Sequence, residues 1–569
     1  MEWATDLECT TEENDCRCWA WGMLSLHGTQ YYKGTELHEL LIEMSKHPND
    51  TFYFHNVRYD GTFILHYLLT HGFLGPNTPI VRDEKGKIVS CETTDNFRPL
   101  NYMEFTTLIT DDGRHYMYRV NLWGATVKIV DSFKLIPYSI EQFPKKFGLE
   151  EHKGKIDYRK NRPVGYKPTK EEWEYLRLDV SLLKQGLEFF SKRNLNKITI
   201  GSNALKEYKS LQPDFDTYFP QINCDSYLRK AYRGGYCIAN PIYRGKEISE
   251  CGYVIDKNSM YPTMLKYKPM PIGEGFYFEG EYKYDKDFPL YVCRIETAFT
   301  LKPNHLPTIQ LKNSSRFNET EYLTESGEEP VLLTLTHIDF QLFLEHYDIQ
   351  YIHYIDGFMF ACATGLFDIY IDEWFKVKEE GDLKGMEGLR TLAKLMLNNL
   401  YGKFAMRLEG GSKEPYIDEN GVLRYRTLPK TKRKGVYLPV GMYTTAYARE
   451  DLIRWAQSNY FNFLYADTDS LHMKGLELPT GIPIHHTKLG AWDLEYCFSR
   501  GKYLRAKTYI EQKLLDNKLV IRCAGMPNSC HKQVTWENFI PGSCFSGKLQ
   551  AKNVKGGQIL IDTTFTIKP

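Results

Sequence analysis

Two carboxylates separated by a single residue close an apolar run in the last third of the chain. The segment at 464–470 reads L-Y-A-D-T-D-S, with acids at Asp467 and Asp469. Side chains at positions i and i+2 of an extended strand point the same way, so these two acids are expected to face one point. Acids aimed together repel each other unless a cation lies between them, and Mg²⁺ or Mn²⁺ prefers carboxylate oxygens. An ordinary acidic turn explains this segment equally well when it is taken alone.

A second acid, which follows another apolar run, favours a metal site over an ordinary acidic turn. The chain reads Y-V-I-D at 253–256 and continues with N-S-M-Y-P at 258–262. Asp256 by itself is typical of a helix N-cap, but that role does not explain Asp467 and Asp469. We therefore expect Asp256 and Asp469 to be the primary metal ligands, with Asp467 as a third carboxylate nearby. Transfer of a phosphoryl group by two ions about 3.5–4 Å apart needs carboxylates of this kind.

A segment with helical spacing lies between these acids. Arg390, Lys394, Asn398 and Tyr401 are separated by four, four and three residues, which places them on one face of a helix. The cations suit triphosphate oxygens, and Asn398 and Tyr401 would face a nascent base pair. A solvated helix face is the alternative. An acid, a helix with Lys, Asn and Tyr, and then paired acids resembles the order of motifs A, B and C in nucleotide polymerases.

Bulk composition limits the class of protein. A chain of 569 residues with 42% hydrophobic content is expected to form several domains. It has no run of about 18 apolar residues, so no membrane partner is expected. The charged start M-E-W-A-T-D differs from a secretory signal. The thirteen scattered cysteines favour reduced thiols, and together these features predict a soluble cytoplasmic protein.

The charge balance argues weakly against a partner that is a nucleic acid, because basic and acidic residues are equal in number at 72 each. Local clusters reduce that objection. Lys430-Thr431-Lys432-Arg433-Lys434 is one basic patch, and residues 524–569 carry five lysines against two acids, a local charge of +3.

Five motifs, taken in order, resemble the protein-primed family B DNA polymerases over essentially the whole chain. They are Y-R-G-G at 232–235, N-S-M-Y-P at 258–262, L-M-L-N-N-L-Y-G-K-F at 395–404, Y-A-D-T-D-S at 465–470 and K-T-Y at 507–509. Two positions depart from the usual family pattern: Cys9 replaces Thr, and Asn399 replaces Ser.

The resemblance implies a multidomain fold of α/β and α+β units. An RNase H-like 3′–5′ exonuclease domain would precede a right-hand polymerase of palm, fingers and thumb with two subfamily insertions. The expected boundaries are 1–195 for the exonuclease, 196–267 and 437–523 for the palm, 268–365 for the first insertion, 366–404 for the fingers, 405–436 for the second insertion and 524–569 for the thumb.

Local patterns add three expectations of structure. Residues 268–365 are predicted to be strand-rich, residues 369–404 to be helical, and Asn420-Gly421 to form the turn of a hairpin. Because this hairpin follows the predicted nucleotide-binding helix, it is expected to emerge close to the active centre.

The N-terminal unit carries acids that suit exonuclease chemistry. Asp6 and Glu8 share one face of a predicted strand, and Asp60 follows in H-N-V-R-Y-D-G at 55–61. Tyr175 and Asp179 are four residues apart on a predicted helix that begins after Thr169. Four carboxylates and a Tyr hydroxyl can hold two ions and orient water. The resemblance adds Lys153 as a residue that steadies this centre.

The resemblance also assigns binding roles. Tyr261 would lie beside the incoming sugar, where its ring leaves no room for a 2′-hydroxyl. The predicted dNTP contacts are Tyr261, Lys378, Arg390, Lys394, Asn398 and Tyr401. The predicted DNA contacts are His55, Asn56, Phe63, Tyr232, Arg233, Gly234, Gly235, Ser259, Gly402, Phe404, Thr468, Lys507 and Tyr509.

The implied function is strand-displacing, processive DNA synthesis with proofreading, started from the hydroxyl of a terminal protein on a linear viral genome. Two Mg²⁺ or Mn²⁺ ions are expected in each active site. The expected partners are the DNA template and primer, dNTPs and a terminal protein that contacts Asp339, with the enzyme a monomer in the host bacterial cytoplasm. The main alternative is an exonuclease on a DNA-binding, polymerase-like scaffold. That alternative predicts damaged polymerase motifs, and the motifs here are intact.

Overall fold

The computed structural model describes residues 1–10, 12–84, 88–91, 98–158, 160–311 and 322–568. Its first part alternates strands and helices. These elements are β1 (Glu2–Cys9), β2 (Cys18–Ser25), β3 (Tyr31–Gly34), α1 (Leu37–Ser45), β4 (Thr51–Phe54), α2 (Val57–Thr70), β5 (Ile80–Arg82), β6 (Ile88–Cys91), β7 (Phe105–Ile109), β8 (His115–Leu122), β9 (Ala125–Asp131), α3 (Phe143–Phe147) and α4 (Lys170–Ser191).

The middle of the chain runs from a helical stretch into long strands. Its elements are α5 (Ile200–Leu211), α6 (Phe215–Tyr218), α7 (Asp225–Leu228), β10 (Cys237–Ala239), β11 (Glu247–Ile248), β12 (Gly252–Lys257), α8 (Met260–Tyr267), β13 (Met270–Glu279), β14 (Leu290–Leu301), β15 (Ile309–Gln310), β16 (Tyr322–Leu323), β17 (Val331–Thr336), α9 (His337–His346) and β18 (Tyr347–Ala363).

The last part contains three long helices and ends in a hairpin. Its elements are α10 (Asp368–Leu383), α11 (Glu387–Phe404), β19 (Glu409–Gly410), β20 (Lys413–Ile417), β21 (Leu423–Thr427), β22 (Thr431–Lys432), α12 (Leu438–Ser458), β23 (Phe463–Asp467), β24 (Ser470–Lys474), β25 (Trp492–Arg505), β26 (Thr508–Lys513), β27 (Leu519–Cys523), α13 (Asn528–His531), β28 (Cys544–Val554) and β29 (Gly557–Thr566).

A seven-stranded sheet organises the N-terminal part in the order β3-β2-β1-β4-β9-β8-β7. Strand β4 pairs parallel with β1 and with β9, which brings the ends of these strands to one edge. Helix α4 packs on β1 and β2. The predicted N-cap is confirmed, since the Thr169 Oγ1 accepts a hydrogen bond from the Glu172 backbone N–H. The sheet and α4 therefore bring Asp6, Glu8, Asp60 and Asp179 toward one region.

A second sheet carries the other predicted acids. Its main order is β10-β23-β24-β12-β25-β26-β27. The strand that ends near Asp256 pairs with β24, and β24 follows the turn that holds Asp469. The buried helix α12 packs against α8, α9 and α11, so it connects this sheet region with the helices on either side.

Three further predictions of local structure can be compared with these elements. The segment at 369–404, predicted to be helical, is a pair of helices, α10 and α11, interrupted where Gly385 takes a positive φ of 64°. The hairpin predicted around Asn420-Gly421 is confirmed as β20 and β21 joined by the turn 418–422. The predicted strand-rich segment 268–365 forms the four-stranded sheet β13-β18-β14-β17 with α9.

Candidate active sites

The acids of the D-T-D segment lie at a tight turn between β23 and β24. Strand β23 ends at Asp467, and Asp467 pairs with Ser470 across the turn. Thr468 has φ of 64°, a left-handed conformation that a β-branched residue seldom adopts. The predicted geometry, in which both acids follow the alternation of one strand, is therefore wrong. The turn sets the direction of Asp469 instead.

Asp256 in β12 and Asp469 in the turn before β24 are neighbours. The backbone N–H of Lys257 donates to the Asp469 carbonyl oxygen over 2.8 Å. Burial and then repulsion by Asp469 raise the pKa of Asp256 to about 8. Burial and then repulsion by Asp467 raise the pKa of Asp469 to about 6. Acids that repel each other in a buried place are a site that a divalent cation would stabilise.

Asp467 has a different partner. Its carboxylate forms an ion pair with the ammonium of Lys507, and the Lys507 backbone N–H donates to the Tyr465 hydroxyl over 2.8 Å. Lys507 also has a positive φ of 54°. The structure therefore pairs the first acid of D-T-D with a cation and leaves Asp469 facing Asp256.

Glu495 is a fourth acid at this site that the sequence reasoning missed. It lies in strand β25 at a bulge opposite Val254 and Ile255, where one extra residue re-aims a side chain. Its charge contributes to raising the pKa of both Asp256 and Asp469. The signal was present in the sequence as W-D-L-E at 492–495, a second pair of acids one residue apart.

The predicted nucleotide-binding residues of α11 share a face that is open to solvent or partly so. Lys394 and Asn398 are exposed, and Arg390 and Tyr401 are half-buried. The Arg390 guanidinium pairs with Asp382 of α10 at 2.8 Å. Lys378 of α10 is buried, and burial followed by repulsion from Lys394 lowers the pKa of its ammonium. Basic and polar side chains thus line this face of α11, and Lys378 of α10 lies close to Lys394.

Tyr261 and Tyr401 form one aromatic pair. Their ring centroids are 4.2 Å apart, although one side chain comes from α8 and the other from α11. Ser259, which precedes α8, has a positive φ of 55°. The structure therefore joins the N-S-M-Y-P segment to the helix motif that the sequence placed 140 residues later.

The Y-R-G-G loop packs directly on the D-T-D turn. The Thr468 backbone N–H donates to the Tyr236 carbonyl oxygen over 2.7 Å. A Cβ added at Gly235 would lie 2.8 Å from the Thr468 hydroxyl oxygen, so only glycine allows this approach. Gly234 has open space around it, and Tyr232 is half-buried. The loop is therefore part of the same site as the acids.

Several predicted DNA contacts are placed differently from expectation. The Arg233 guanidinium is buried and donates to the carbonyl oxygens of Ala231 and Thr334 over 2.9 and 3.1 Å. Phe404 and Tyr509 are also buried, each within a cluster of aromatic rings. These three side chains pack the protein instead of facing DNA. The sequence could not show this, because their partners are distant along the chain. Gly402 is exposed with open space around it.

Asp339, predicted to contact a terminal protein, is also placed differently. It is 3% exposed and forms an ion pair with Arg449 at 2.7 Å. Its carboxylate is therefore satisfied inside the fold, and the predicted contact through this side chain is not supported by its position.

The N-terminal acids form a compact cluster. Ligand atoms of Asp6, Glu8 and Asp179 all lie within 4.8 Å of one another, and in the described part of the chain this is the one such group of three metal-ligating side chains. Burial and then the charge of Asp179 raise the pKa of Asp6 to about 7. Burial and the charge of Asp6 also raise the pKa of Glu8 and Asp60.

Two side chains that the sequence named as candidates, Lys153 and Tyr175, lie beside this cluster. The Lys153 ammonium lies 2.7 Å from the Asp179 Oδ2. The hydroxyls of Tyr175 and Tyr158 are 2.7 Å apart. The other oxygen of Asp179, Oδ1, is buried and has no hydrogen-bond partner among the residues that the structure describes. A buried oxygen without a partner, beside two more acids, fits the donor set of a divalent metal.

Asp131 is a further buried acid that the sequence reasoning missed. Its carboxylate accepts hydrogen bonds from the backbone N–H groups of Asn56 and Phe133, over 2.9 and 3.0 Å. Asn56 has a positive φ of 78°, which this contact holds in place. The pattern A-T-V-K-I-V-D at 125–131, an apolar run ending in an acid, is the same signal that identified Asp256.

The remaining predicted contacts of the N-terminal unit lie nearby. The His55 Nδ1 is 2.9 Å from the Ser132 hydroxyl, and burial lowers the pKa of His55 to about 4, so its imidazole is neutral at pH 7. Phe63 is buried in the core of this unit.

Across the part of the chain that the structure describes, no helix combines the length and apolarity that a membrane crossing requires.

Comparisons with known proteins agree with this arrangement. Residues 153–487 match the family described as DNA polymerase type B, organellar and viral. The chain is 39% identical over 594 residues to the DNA polymerase of Bacillus phage Nf, covering 99% of each, and 31% identical to that of Streptococcus phage Cp-1, covering 100% of this chain and 98% of the relative.

A solved structure of phi29 DNA polymerase with primer-template DNA and incoming nucleotide is similar over 100% of both chains, with a TM-score of 0.91 and 36% identity. The predicted multidomain fold with exonuclease and polymerase domains is confirmed by this full-length match. The chain therefore belongs to the organellar and viral family of type B DNA polymerases and is a DNA-directed DNA polymerase of the phi29 type.

Proposed function

We propose that this DNA polymerase also carries a 3′–5′ exonuclease, displaces a downstream strand and starts synthesis from the hydroxyl of a terminal protein. The observation that supports two activities in one chain, polymerisation and exonuclease, is the presence of two separate groups of buried acids whose pKa values are raised by burial and mutual repulsion. One group lies on β1, α2 and α4 and would hydrolyse DNA; the other lies on β12, the β23–β24 turn and β25 and would extend it.

The residues present fit a divalent metal in both groups. Asp6, Glu8, Asp60 and Asp179 would hold it in the first, and Asp256 and Asp469 in the second. Two Mg²⁺ or Mn²⁺ ions would lower the pKa of the attacking hydroxyl or water and neutralise charge on the phosphate oxygens. In the exonuclease group, Lys153 holds Asp179 in place and the Tyr175 hydroxyl would orient the attacking water.

In the polymerase group the protein's own side chains would position the substrates. The phi29 relative was solved with primer-template DNA and an incoming nucleotide, and we propose the same ligands here. Lys394 and Arg390 on the face of α11, together with the buried Lys378 of α10, would contact triphosphate oxygens, because cations pair well with phosphate. Lys507, which already pairs with Asp467, would hold the primer terminus beside Asp469.

A cavity of about 1060 Å³ supports a path for DNA next to the Y-R-G-G loop. Its lining includes Tyr232 and Gly234 together with the cations Arg229, Arg407, Lys430 and Lys432. Cations along a groove follow a phosphate backbone, and an aromatic ring can stack on a base. The basic patch that the sequence showed at 430–434 thus lies on one wall of this cavity.

The experiment that tests the activities is extension of a labelled primer on a template strand with Mg²⁺ and four dNTPs, together with degradation of a labelled single strand. Both activities are expected from one purified protein. An exonuclease on a polymerase-like scaffold would degrade the single strand without extending the primer.

We expect Tyr261→Val to admit ribonucleotides. The Tyr261 ring is held against Tyr401, so it presents a fixed wall to the sugar of an incoming nucleotide. A smaller side chain leaves room for a 2′-hydroxyl. The measurement is the ratio of kcat/KM for dNTP and rNTP, which should fall by about tenfold or more, since one missing steric contact is worth 1–3 kcal/mol. Tyr267→Val, at an exposed tyrosine beyond the same helix turn, is the control. A ratio that stays at the parent value would place sugar selection elsewhere.

The proposal of strand displacement rests on a contact between the β20–β21 hairpin and the β28–β29 hairpin. The β20–β21 turn meets the tip of the β28–β29 hairpin, where the Asn553 side-chain amide donates to the Leu423 carbonyl oxygen over 3.0 Å. His66 of α2 lies 3.0 Å from both the Gly421 carbonyl oxygen and the Gly556 backbone nitrogen. Both hairpins arise from the polymerase part of the chain, so their contact closes a ring that could retain DNA and block reannealing.

We expect deletion of residues 411–426, replaced by a short Gly linker, to stop synthesis at a downstream duplex while gap filling continues. Separating base pairs costs roughly 1.4 kcal/mol per step in lost stacking, which must be offset at every incorporation. The measurement is product length on nicked and on gapped templates in a single binding event. Asn420→Ala, at the exposed tip of an intact hairpin, is the matched control. Long products on nicked duplex from the deletion variant would assign displacement to another element.

Protein priming and cellular context rest on family likeness. The first insertion, with the sheet β13-β18-β14-β17, would receive the terminal protein, and the enzyme would act as a monomer in the cytoplasm of a bacterial host. Transfer of a labelled dNMP to a candidate protein, giving a band sensitive to protease, tests the priming step.

A further inference from the structure

Three charged side chains are buried between the first insertion and the Y-R-G-G loop. Arg233, Asp339 and Arg449 are 8%, 3% and 1% exposed. Burying charge is costly unless each group is paired and hydrogen-bonded, so a cluster of this kind calls for a specific explanation. The three come from different parts of the chain: the loop before β10, helix α9 of the insertion and the central helix α12.

The guanidinium of Arg449 joins these parts. Its Nη2 donates to the two carboxylate oxygens of Asp339 over 2.8 and 2.7 Å, and its Nε donates over 3.1 Å. Its Nη1 donates to the carbonyl oxygens of Arg233 and Gly234 over 2.9 and 2.8 Å. The flat fork of an arginine can make all these bonds at once, whereas the ammonium of a lysine cannot.

Asp339 is itself held in a fixed orientation. Its Oδ2 accepts from the Thr336 hydroxyl over 2.7 Å, and its backbone N–H donates to the same hydroxyl oxygen over 3.1 Å, which caps α9. The carboxylate therefore presents a preset surface to Arg449. Because the cap belongs to the insertion, the insertion sets the position of the guanidinium.

The Y-R-G-G loop also contacts the turn that carries the acids. Gly234 is followed by Gly235, which lies against the Thr468 side chain, and by Tyr236, whose carbonyl oxygen accepts from the Thr468 backbone N–H. Thr468 holds a positive φ between Asp467 and Asp469. A shift of the loop would therefore move the residue whose strained backbone directs Asp469.

We propose that Arg449 is a positioning residue for polymerisation, which couples Asp339 of the first insertion through the Y-R-G-G loop to the acid-bearing turn. The inference rests on the proposed polymerisation site at Asp256 and Asp469. Arg449 itself is buried, so it would act through the residues it holds and not by binding a substrate. In this role Asp339 influences polymerisation from within the fold and not as a surface that a partner protein contacts.

The alternative is that the ion pair only stabilises the fold. Arg449→Lys separates these roles, because a lysine ammonium can keep the charge pair with Asp339 but cannot also reach both loop carbonyls. We expect Arg449→Lys to fold and to degrade single-stranded DNA at the parental rate. We expect the Mg²⁺ concentration for half-maximal primer extension to rise by about tenfold, as is typical when a residue that orients a metal ligand is changed.

The matched control is Arg454→Lys. Arg454 lies on the same helix and pairs with Glu345 of the same partner helix at 3.0 Å, but this pair is exposed and has no contact with the loop. Extension is measured per active enzyme by titration of the bound primer, so an unfolded fraction does not enter the result. The double variant Asp339→Asn with Arg449→Met, which removes both partners of the ion pair together, should show the same rise in Mg²⁺ requirement.

The outcomes separate this inference from the proposed site. Parental Mg²⁺ dependence in both Arg449→Lys and the double variant would overturn the coupling. An equal rise in Arg454→Lys would do so as well. If Asp469→Ala still extends a primer, the proposed site itself fails, and that result is independent of Arg449.

Discussion

Asp469→Ala is expected to abolish primer extension while degradation of single-stranded DNA continues. The Asp469 carboxylate lies close to Asp256. Burial and repulsion raise the pKa of both acids, as expected of carboxylates that bind a cation. Removing one of them loses the means of stabilising charge on the reacting phosphate. We expect a loss of at least about 10³-fold, the scale seen when one group aimed at developing charge is removed.

Two controls accompany this prediction. Asp469→Asn keeps the shape of the side chain and removes its charge, so it should lose activity to a similar extent. Glu477→Ala, at an exposed acid just beyond β24, should leave extension unchanged. Extension by Asp469→Ala at more than a tenth of the parental rate in Mg²⁺ would show that the metal ligands lie elsewhere.

Local patterns in the sequence were sufficient to predict the acids. An apolar run followed by an acid identified Asp256, and the same rule would have found Asp131 and, through W-D-L-E, the bulged Glu495. The rule works because a strand that ends at a sheet edge delivers its last side chain to that edge. The same rule could not predict the direction of the Asp469 side chain, because this direction depends on the positive φ of Thr468 in the turn.

The partners of buried polar side chains could not be predicted from the sequence for a different reason. The partners of Arg449 lie 110 residues away at Asp339 and 216 residues away at Arg233. Nothing in a local window indicates whether an arginine faces DNA or a carbonyl oxygen across the fold. For this reason Arg233 and Asp339, both taken from family motifs as contacts with partners, proved to be internal braces.

The β20–β21 hairpin shows both a feature that local sequence predicts and one that it does not. Asn420-Gly421 predicted its turn correctly, because that pair favours the backbone of a tight hairpin. The sequence also led us to expect an arm projecting near the active centre. In the structure the hairpin instead packs on the N-terminal unit, where Leu423 is buried and Glu414 accepts a hydrogen bond from the Thr78 hydroxyl.

The double variant Asp6→Ala with Glu8→Ala is expected to lose degradation of single-stranded DNA by at least about 10³-fold while correct incorporation continues. Both acids belong to the cluster with Asp179, on a sheet separate from the one that carries Asp469. The measurement is the release of labelled nucleotides from an oligonucleotide, with primer extension followed in parallel. Glu12→Ala, at an exposed acid after the same strand, is the control.

Thermal stability distinguishes a functional cluster from a structural one. Burial and then the charge of Asp179 raise the pKa of Asp6 to about 7, above its unfolded value. Between these two pKa values the folded state binds more protons than the unfolded state, so stability falls as pH rises from about 4 to about 7 and stays at the lower level above that. In EDTA at pH 8 the double variant should therefore melt at or above the temperature of the parent protein. If it melts lower and still degrades the oligonucleotide, Asp6 and Glu8 support the fold instead of the reaction, because acids retained for catalysis are expected to be costly to the folded protein when no metal is bound.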